Sequence, residues 1–470
     1  MAIKFRPREY LKLPSIKSIV SGDAVSRPSL SGSQGLSLRA NFSWTFVGNT
    51  INAAAWFAMT VVLAKLGSPE HVGQFALGLA TTAPIFMFAT LRLRDVQATD
   101  TNQEYLFADY FGLRLITTIA AMLAVVVVVV VSGFERETGL VILATGLSKS
   151  SEAISDSFYG LFMQQERLDR IAKSMIVKGP LSLLGLGLGF YLTGSVFWGV
   201  IGLALGRLII MVGYDIRNAR KSLNQAKKVI AERNPDDLPR PRWNAAILWK
   251  LLRLTLPLGV VTMLISFTSN IPRYFIEGLL GSHQLGIFAA IAAFQKAAPT
   301  VIQALGRSAS PRLAKYYAAK KAGAFRKLTL RLVAIGVALG GAGIFVALVA
   351  GRPLLTLIYG PEYALPGLFG MIMFGAALDY VATMGLFVIT SARYFRIQLP
   401  LQILTTGSVA VACYLLIPSY GLPGAAMALI TGYFVRVVTL FIVAWHAQRA
   451  LNKLAVTSTV LVESSVRYDD

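Results

Sequence analysis

Between Phe42 and Trp445 the chain is a succession of apolar runs, each about 20 residues long, broken by short basic segments. That length is what a helix needs to cross the hydrocarbon core of a bilayer. The most extreme run contains seven consecutive valines, Val125 to Val131. In water such a run favours a strand. In hydrocarbon an unpaired strand leaves its backbone without partners, so a helix is expected. Only 14% of the residues are charged and 55% are hydrophobic, with a mean hydropathy of +0.61. A soluble domain is about 25% charged. The excess apolar surface has to face lipid, because a soluble core of this size cannot hide it.

The runs give twelve spans, at 42–63, 72–91, 110–131, 138–163, 171–192, 196–216, 247–267, 285–306, 328–350, 367–389, 397–417 and 422–445. The expected fold is an all-α integral membrane protein with twelve transmembrane helices in two six-helix lobes. A polar stretch from Asp215 to Arg242, carrying eight Lys or Arg, separates the halves. The organisation read from this pattern has five parts. Residues 1–40 form a disordered basic cytoplasmic tail with no cleavable signal. Residues 41–214 form the first lobe, 215–246 a cytoplasmic linker, 247–446 the second lobe and 447–470 a second cytoplasmic tail. Basic residues prefer the cytoplasmic side of a membrane. With both termini inside, most of the 45 basic residues fall on inner segments. The outer loops then hold Lys65, Arg136, Arg273 and Arg352, and the spans hold Lys149, Arg207, Lys296 and Arg436. This distribution turns a net charge of +22 into a match for anionic membrane lipids rather than nucleic acid. The single cysteine, Cys413, excludes an internal disulfide.

The halves resemble one another. LGSPEHVGQFALGLATTAP, Leu66 to Pro84, and LGSHQLGIFAAIAAFQKAAP, Leu280 to Pro299, each pair an LGS turn with a Gly-x-Phe-Ala helix start and an Ala-Pro step. Such a repeat relates two parallel six-helix units by an axis along the membrane normal. Gly202-x3-Gly206 and Gly336-x3-Gly340 point to close helix packing.

No nucleotide loop or metal-ligand cluster is visible, and His71, His283 and His446 are far apart. No cofactor is expected, and proton or sodium coupling stays open. Charges within spans are costly unless paired or hydrated, so they mark function. Lys296, beside Gln295 and near Pro299, is either a point charge for an anion or a partner of Asp379. Asn270, Arg273, Tyr274 and Glu277 share a helical stripe at spacings of three and four. Arg273 reads equally as a cavity cation or as a residue snorkelling to headgroups. Asn49, Asn52 and Trp56 form a second stripe, where the indole can stack on a sugar or simply pack. Thr81, Thr82 and Pro84 occupy the matching part of the second span. Lys149 and Asp156, two turns apart, can face one side, with Lys149 at a portal or paired to another helix. Arg207 and Arg436 close each half and read as structural. Arg92, Arg94 and Asp95 read as a gate or lipid anchor, as do Arg307, Arg312 and Lys315. Proton transfer through Asp156 or Asp379 is a further reading.

The segment FSWTFVGNTINAAAWFAMTVVLAKLGSPEHVGQFALGLATTAPIFMFATLRLRDVQATD, Phe42 to Asp100, resembles the amino-terminal part of bacterial polysaccharide flippases. LLTLIYGPEYA, Leu354 to Ala364, resembles their loop between the ninth and tenth helices. These flippases belong to the multidrug/oligosaccharidyl-lipid/polysaccharide exporter (MOP) superfamily. The resemblance implies a MATE/MOP-like pair of bundles around a central cavity lined by the first, second, seventh and eighth helices. It implies an undecaprenyl-diphosphate-linked glycan as substrate, moved from the cytoplasmic to the periplasmic leaflet of the inner membrane without catalysis. Arg273 and Lys296 would then line the cavity. A monomer is expected, beside a polysaccharide polymerase and a chain-length regulator. A multidrug cation antiporter of the same architecture, with an acidic cavity, is the first alternative. A non-transporting scaffold for a polysaccharide synthase is the second. A glycosyltransferase or polymerase would show a large catalytic loop, and the outer loops here are short.

Overall fold

The computed structural model describes residues 36–100, 104–229, 241–296, 298–394 and 396–466. Helix is the only regular structure among them. The helices are α1 (Leu38–Leu66), α2 (Pro69–Thr90), α3 (Leu93–Thr99), α4 (Phe107–Ser132), α5 (Arg136–Gln164), α6 (Leu168–Thr193) and α7 (Val196–Ile210). A π-helical turn, Met211–Ile216, joins α7 to α8 (Arg217–Val229). Then come α9 (Ala245–Ala292), a 3-10 turn at Ala293–Lys296, α10 (Pro299–Ala318), α11 (Ala322–Ile358), α12 (Pro366–Ser391) and α13 (Gln398–Val466). The valine run is helical in α4, and Val126, Val127, Val130 and Val131 are exposed, as lipid-facing residues should be.

Nine helical stretches among the described residues are long and apolar enough to cross a membrane. Two of them, 245–318 and 398–452, are 74 and 55 residues long. Each is broken by a glycine in the left-handed region, Gly281 at φ 84° and Gly421 at φ 60°. Glycine takes this conformation without a Cβ clash. Dividing both stretches at these glycines and adding α5, whose ionic side chains lower its hydropathy, gives twelve helical segments among the described residues. Some ends differ. The seventh span runs to Gly281 rather than Phe267, which takes Arg273 out of an outer loop and into a helix. Arg114 and Lys178, which fall inside the expected spans 110–131 and 171–192 but were not counted among the in-span charges, lie buried within α4 and α6. The linker was expected to begin at Asp215, yet that residue is fully buried on the π turn, and helix continues to Val229. Residues 230–240, and 1–35 of the expected tail, lie outside the described residues. At the other end α13 continues past Trp445 to Val466.

In the first lobe α1 packs on α6, α6 on α7, and α4 and α7 on α5. In the second, α11 packs on α12, α12 on α13 and α13 on α9. The lobes meet mainly where α2 runs along α9. There the internal repeat becomes a physical contact. A Cβ added to Gly73 would lie 1.9 Å from the Ser282 carbonyl oxygen, and one added to Gly286 would lie 1.8 Å from that of Pro69. The glycine of each half thus receives the Ser turn of the other. This reciprocity is what an internal two-fold axis requires. The predicted glycine packing is also present: a Cβ on Gly202 would lie 2.0 Å from the Gly185 carbonyl oxygen, bringing α7 against α6.

Candidate cationic cavity between the lobes

One face of α5 carries Lys149, Glu152, Ser155, Asp156 and Tyr159 at helical spacing. Each finds partners on other helices. Glu152 Oε2 accepts from Lys149 Nζ and from Arg207 Nη1 of α7, both at 2.9 Å. Lys178 Nζ of α6 donates to Ser155 Oγ at 3.0 Å, Tyr159 OH at 2.8 Å and Asp215 Oδ2 at 3.0 Å. Asp156 accepts from Arg94 Nη1 at 2.8 Å and from the fully buried Arg114 Nη2 at 3.2 Å. Lys149 and Asp156 do share one side of α5, but they bind different partners rather than each other. Burying one ion without its partner is strongly destabilising. These linked pairs therefore hold α3, α4, α6 and α7 to α5.

The second lobe repeats one of these pairs. Arg436 Nη1 of α13 donates to Asp379 Oδ1 of α12 at 2.6 Å. Arg207–Glu152 joins the sixth span to the fourth, and Arg436–Asp379 joins the twelfth to the tenth. The two arginines were expected to share one kind of partner, and each does bind a carboxylate at the equivalent place. Asp379 is thereby taken from Lys296, so the alternative Lys296–Asp379 pairing does not occur.

The two cations expected to line the cavity have no carboxylate partner among the described residues. Arg273 Nη1 donates to Asn270 Oδ1 at 3.0 Å, and its Nε is buried with no partner. Lys296 ends the 3-10 turn and has no ion pair. Its side chain is exposed. The charges near enough to act on it are Arg273 and Lys149. Cations from both lobes thus converge. Lys149 and Arg207 share the single charge of Glu152, and Arg273 and Lys296 have none to share. The local excess is positive.

The other site candidates take separate roles. Trp56 meets Arg207 at 4.7 Å and Lys149 at 5.3 Å from its ring centre, so cations hold the indole. Asn52 packs against Gly179 of α6, and Asn49 is half-buried beside it on α1. Glu277 accepts from Ser282 Oγ at 2.6 Å and does not join Arg273. Thr82 is occupied by the Gly78 carbonyl oxygen at 2.7 Å. Gln295 donates to the Ile372 carbonyl oxygen at 3.3 Å.

Prolines explain two further contacts. Pro84 has no N–H for the carbonyl of Ala80, and Pro299 has none for that of Gln295. The Tyr274 hydroxyl crosses from α9 and donates to the Ala80 oxygen. The Tyr380 hydroxyl donates to the Gln295 oxygen at 2.8 Å. Both freed carbonyls sit at the matched Ala-Pro steps, and the first of these bonds latches lobe to lobe.

At the end bearing the Ser68 and Ser282 turns the lobes touch. Glu70 pairs with His283 across the lobes, and Phe57 of α1 meets Phe294 at 5.1 Å. At the opposite end Arg92 and Asp95 face Leu258 and Arg307 across a cleft between the lobes. Arg92 and Asp95 pair with each other at 2.9 Å, whereas Arg94 turns inward to Asp156. Beyond the cationic cluster, a polar pocket of about 260 Å³ lies between α9, α10, α12 and α13.

Sequence reasoning missed Glu152, Arg114, Lys178 and Asp215. Glu152 had a signal, since it lies three residues from Lys149 within a span. Arg114 and Asp215 sat near expected span ends, and Lys178 lay inside the fifth span without being counted there.

No protein-family model matches the chain. In sequence it is similar to the capsular polysaccharide biosynthesis protein CapF of Staphylococcus aureus. The two are 29% identical over 405 residues, covering 85% of this chain and 98% of that protein. In fold it is similar to an inward-facing multidrug resistance MATE transporter of the MOP superfamily, with a TM-score of 0.60 at 15% identity over 89% of this chain and 97% of the other. A Vibrio cholerae MATE transporter gives 0.58 at 14% identity, over 88% and 97%. The chain therefore has the fold of the MATE transporters, and in sequence it is similar to a capsular polysaccharide biosynthesis protein.

Proposed function

We propose that the chain is a flippase for polyprenyl-diphosphate-linked oligosaccharide units, serving surface polysaccharide export. The observation that carries the reading is the pair of unmatched cations, Arg273 and Lys296, with Lys149 near them. A diphosphate brings the negative charge this cavity lacks. Opposite unit charges about 4 Å apart attract by about 4 kcal/mol at an effective dielectric of about 20. That attraction offsets the loss of phosphate hydration, while the polyprenyl tail stays in lipid. The glycan then crosses about 30 Å of hydrocarbon inside protein.

The unit passes from the cytoplasmic to the periplasmic leaflet of the inner membrane. The basic end, with both termini, faces the cytoplasm and its anionic lipids, following the positive-inside rule. The Ser68 and Ser282 turns face the periplasm. No covalent step is involved, and the chain acts as a monomer beside a polymerase and a chain-length regulator. A cation antiporter is less favoured, because the two unmatched cations, Arg273 and Lys296, outnumber the one unmatched carboxylate of the stripe from Asn270, Glu277. Any proton or sodium coupling would have to work around Asp156 and Asp379, which already bind arginines. Deleting the gene and detecting lipid-linked sugars leaflet by leaflet tests the reading. Accumulation in the cytoplasmic leaflet supports it, and an unchanged distribution refutes it.

A further inference from the structure

We propose that the pocket inside the second lobe binds the sugar bonded directly to the diphosphate, and so contributes to glycan selection. This rests on the flippase reading above. The pocket holds about 260 Å³ and is lined by residues of α9, α10, α12 and α13. That is near the lower end for small-molecule sites, and it suits a compact headgroup rather than a long chain.

Its chemistry fits a neutral, hydroxyl-rich ring. Asp379 gives one carboxylate oxygen to Arg436, and the pair stays partly open, with side-chain exposures of 30% and 15%. A carboxylate already neutralised by arginine has little pull on a free cation. It still offers an acceptor beside guanidinium donors, which hydroxyl groups can use together. Gln402 donates from Nε2 to Thr268 Oγ1 at 2.8 Å, and Thr268 in turn meets Thr406 at 2.8 Å. This fixes the amide and leaves its oxygen without a partner among the described residues. Tyr433 and Thr383 add hydroxyls, and Tyr380 adds a ring held at the Gln295 carbonyl. A polyprenyl tail in this pocket would leave those groups unpaired, at a cost of about 1–3 kcal/mol for each buried one.

Position gives the second line of support. Ser269 and Pro299 both line the pocket. Arg273 follows Ser269 by four residues, about one helical turn of roughly 5.4 Å. Lys296 precedes Pro299 by three. Tyr433, also in the lining, is close enough to Arg273 to feel its charge. A group attached to a diphosphate held by Arg273 and Lys296 would meet this pocket first.

The test measures binding to the full-length protein in nanodiscs. The probes are a polyprenyl diphosphate without sugar, the same carrier with one hexose, and the same carrier with one N-acetylhexosamine. At least one sugar-bearing carrier should bind about tenfold more tightly than the bare one. Gln402→Leu, which removes a polar group at similar size, and Thr383→Phe, which fills the space, should bring that ratio to about one. Both should keep the affinity for the bare carrier, which also reports that they fold. Equal affinity for all three carriers in the wild type overturns the proposal, as does a sugar preference that survives both substitutions. If the bare carrier fails to bind the wild type at all, the flippase reading itself falls.

Discussion

The Tyr274–Ala80 bond joins the lobes at a carbonyl that its own helix cannot satisfy, so its removal should be felt as a shift in lobe arrangement. Tyr274→Phe deletes the donor and keeps the ring. Losing a hydrogen bond ordinarily destabilises by about 1 kcal/mol net. Here the acceptor is also stranded, because residue 84 is proline and Ala80 is fully buried. A buried polar group left unpaired costs about 1–3 kcal/mol. Only the arrangement containing the latch pays this, so the balance between it and the alternative should move about 5- to 150-fold. Spin labels on Thr193→Cys and Glu362→Cys, exposed positions at the turn-bearing ends of the two lobes, report the separation by electron-spin distance measurement. Tyr274→Phe should populate a longer distance. Pro84→Ala restores an N–H to Ala80, so the same substitution in that background should have a clearly smaller effect. Unchanged distances in Tyr274→Phe, or an equal effect in both backgrounds, would refute the reasoning.

Three further outcomes follow from the packing and charge. Gly73→Leu and Gly286→Leu each place a side chain where the opposite turn's backbone stands, so both should open the turn-bearing end by a similar distance in the same label pair; an effect of one alone contradicts the two-fold relation. Lys178→Ala leaves Asp215 buried without its cation and should destabilise the first lobe by about 3–5 kcal/mol, whereas Lys178→Met with Asp215→Asn should recover much of that loss in thermal unfolding; equal loss in both would contradict the pairing argument. Glu152→Gln frees Lys149 and Arg207, so polyprenyl diphosphate should bind more tightly and with steeper salt dependence, and weaker binding would contradict the charge count.

The spans were legible because a bilayer sets a length, and runs of that length have few other folds open to them. Boundaries were less so. Arg114 and Asp215 lay near span ends, where a charge is less costly than deep in hydrocarbon, and Lys178 lay inside the fifth span unnoticed. Their partners come from other helices, which is tertiary information. The Ala-Pro steps could be read as freed carbonyls, but nothing in the chain named Tyr274 and Tyr380 as the donors. The repeated LGS turns were visible as text, and their mutual contact only as structure. The stripe from Asn270 to Glu277 was correctly helical, yet its members serve three ends: Asn270 steadies Arg273, Tyr274 reaches the other lobe, and Glu277 holds Ser282. The indole of Trp56, read either as a sugar platform or as plain packing, is engaged by cations whose approach only the packing of α1, α5 and α7 determines.

The central claim is that unmatched positive charge between the lobes carries a diphosphate across the membrane. Its most direct measurement is transfer of lipid-linked glycan between leaflets in liposomes containing the purified chain with both Arg273→Gln and Lys296→Gln. Transfer by the folded double variant should fall to the protein-free rate, with each single variant intermediate. Wild-type transfer by the double variant would contradict the account.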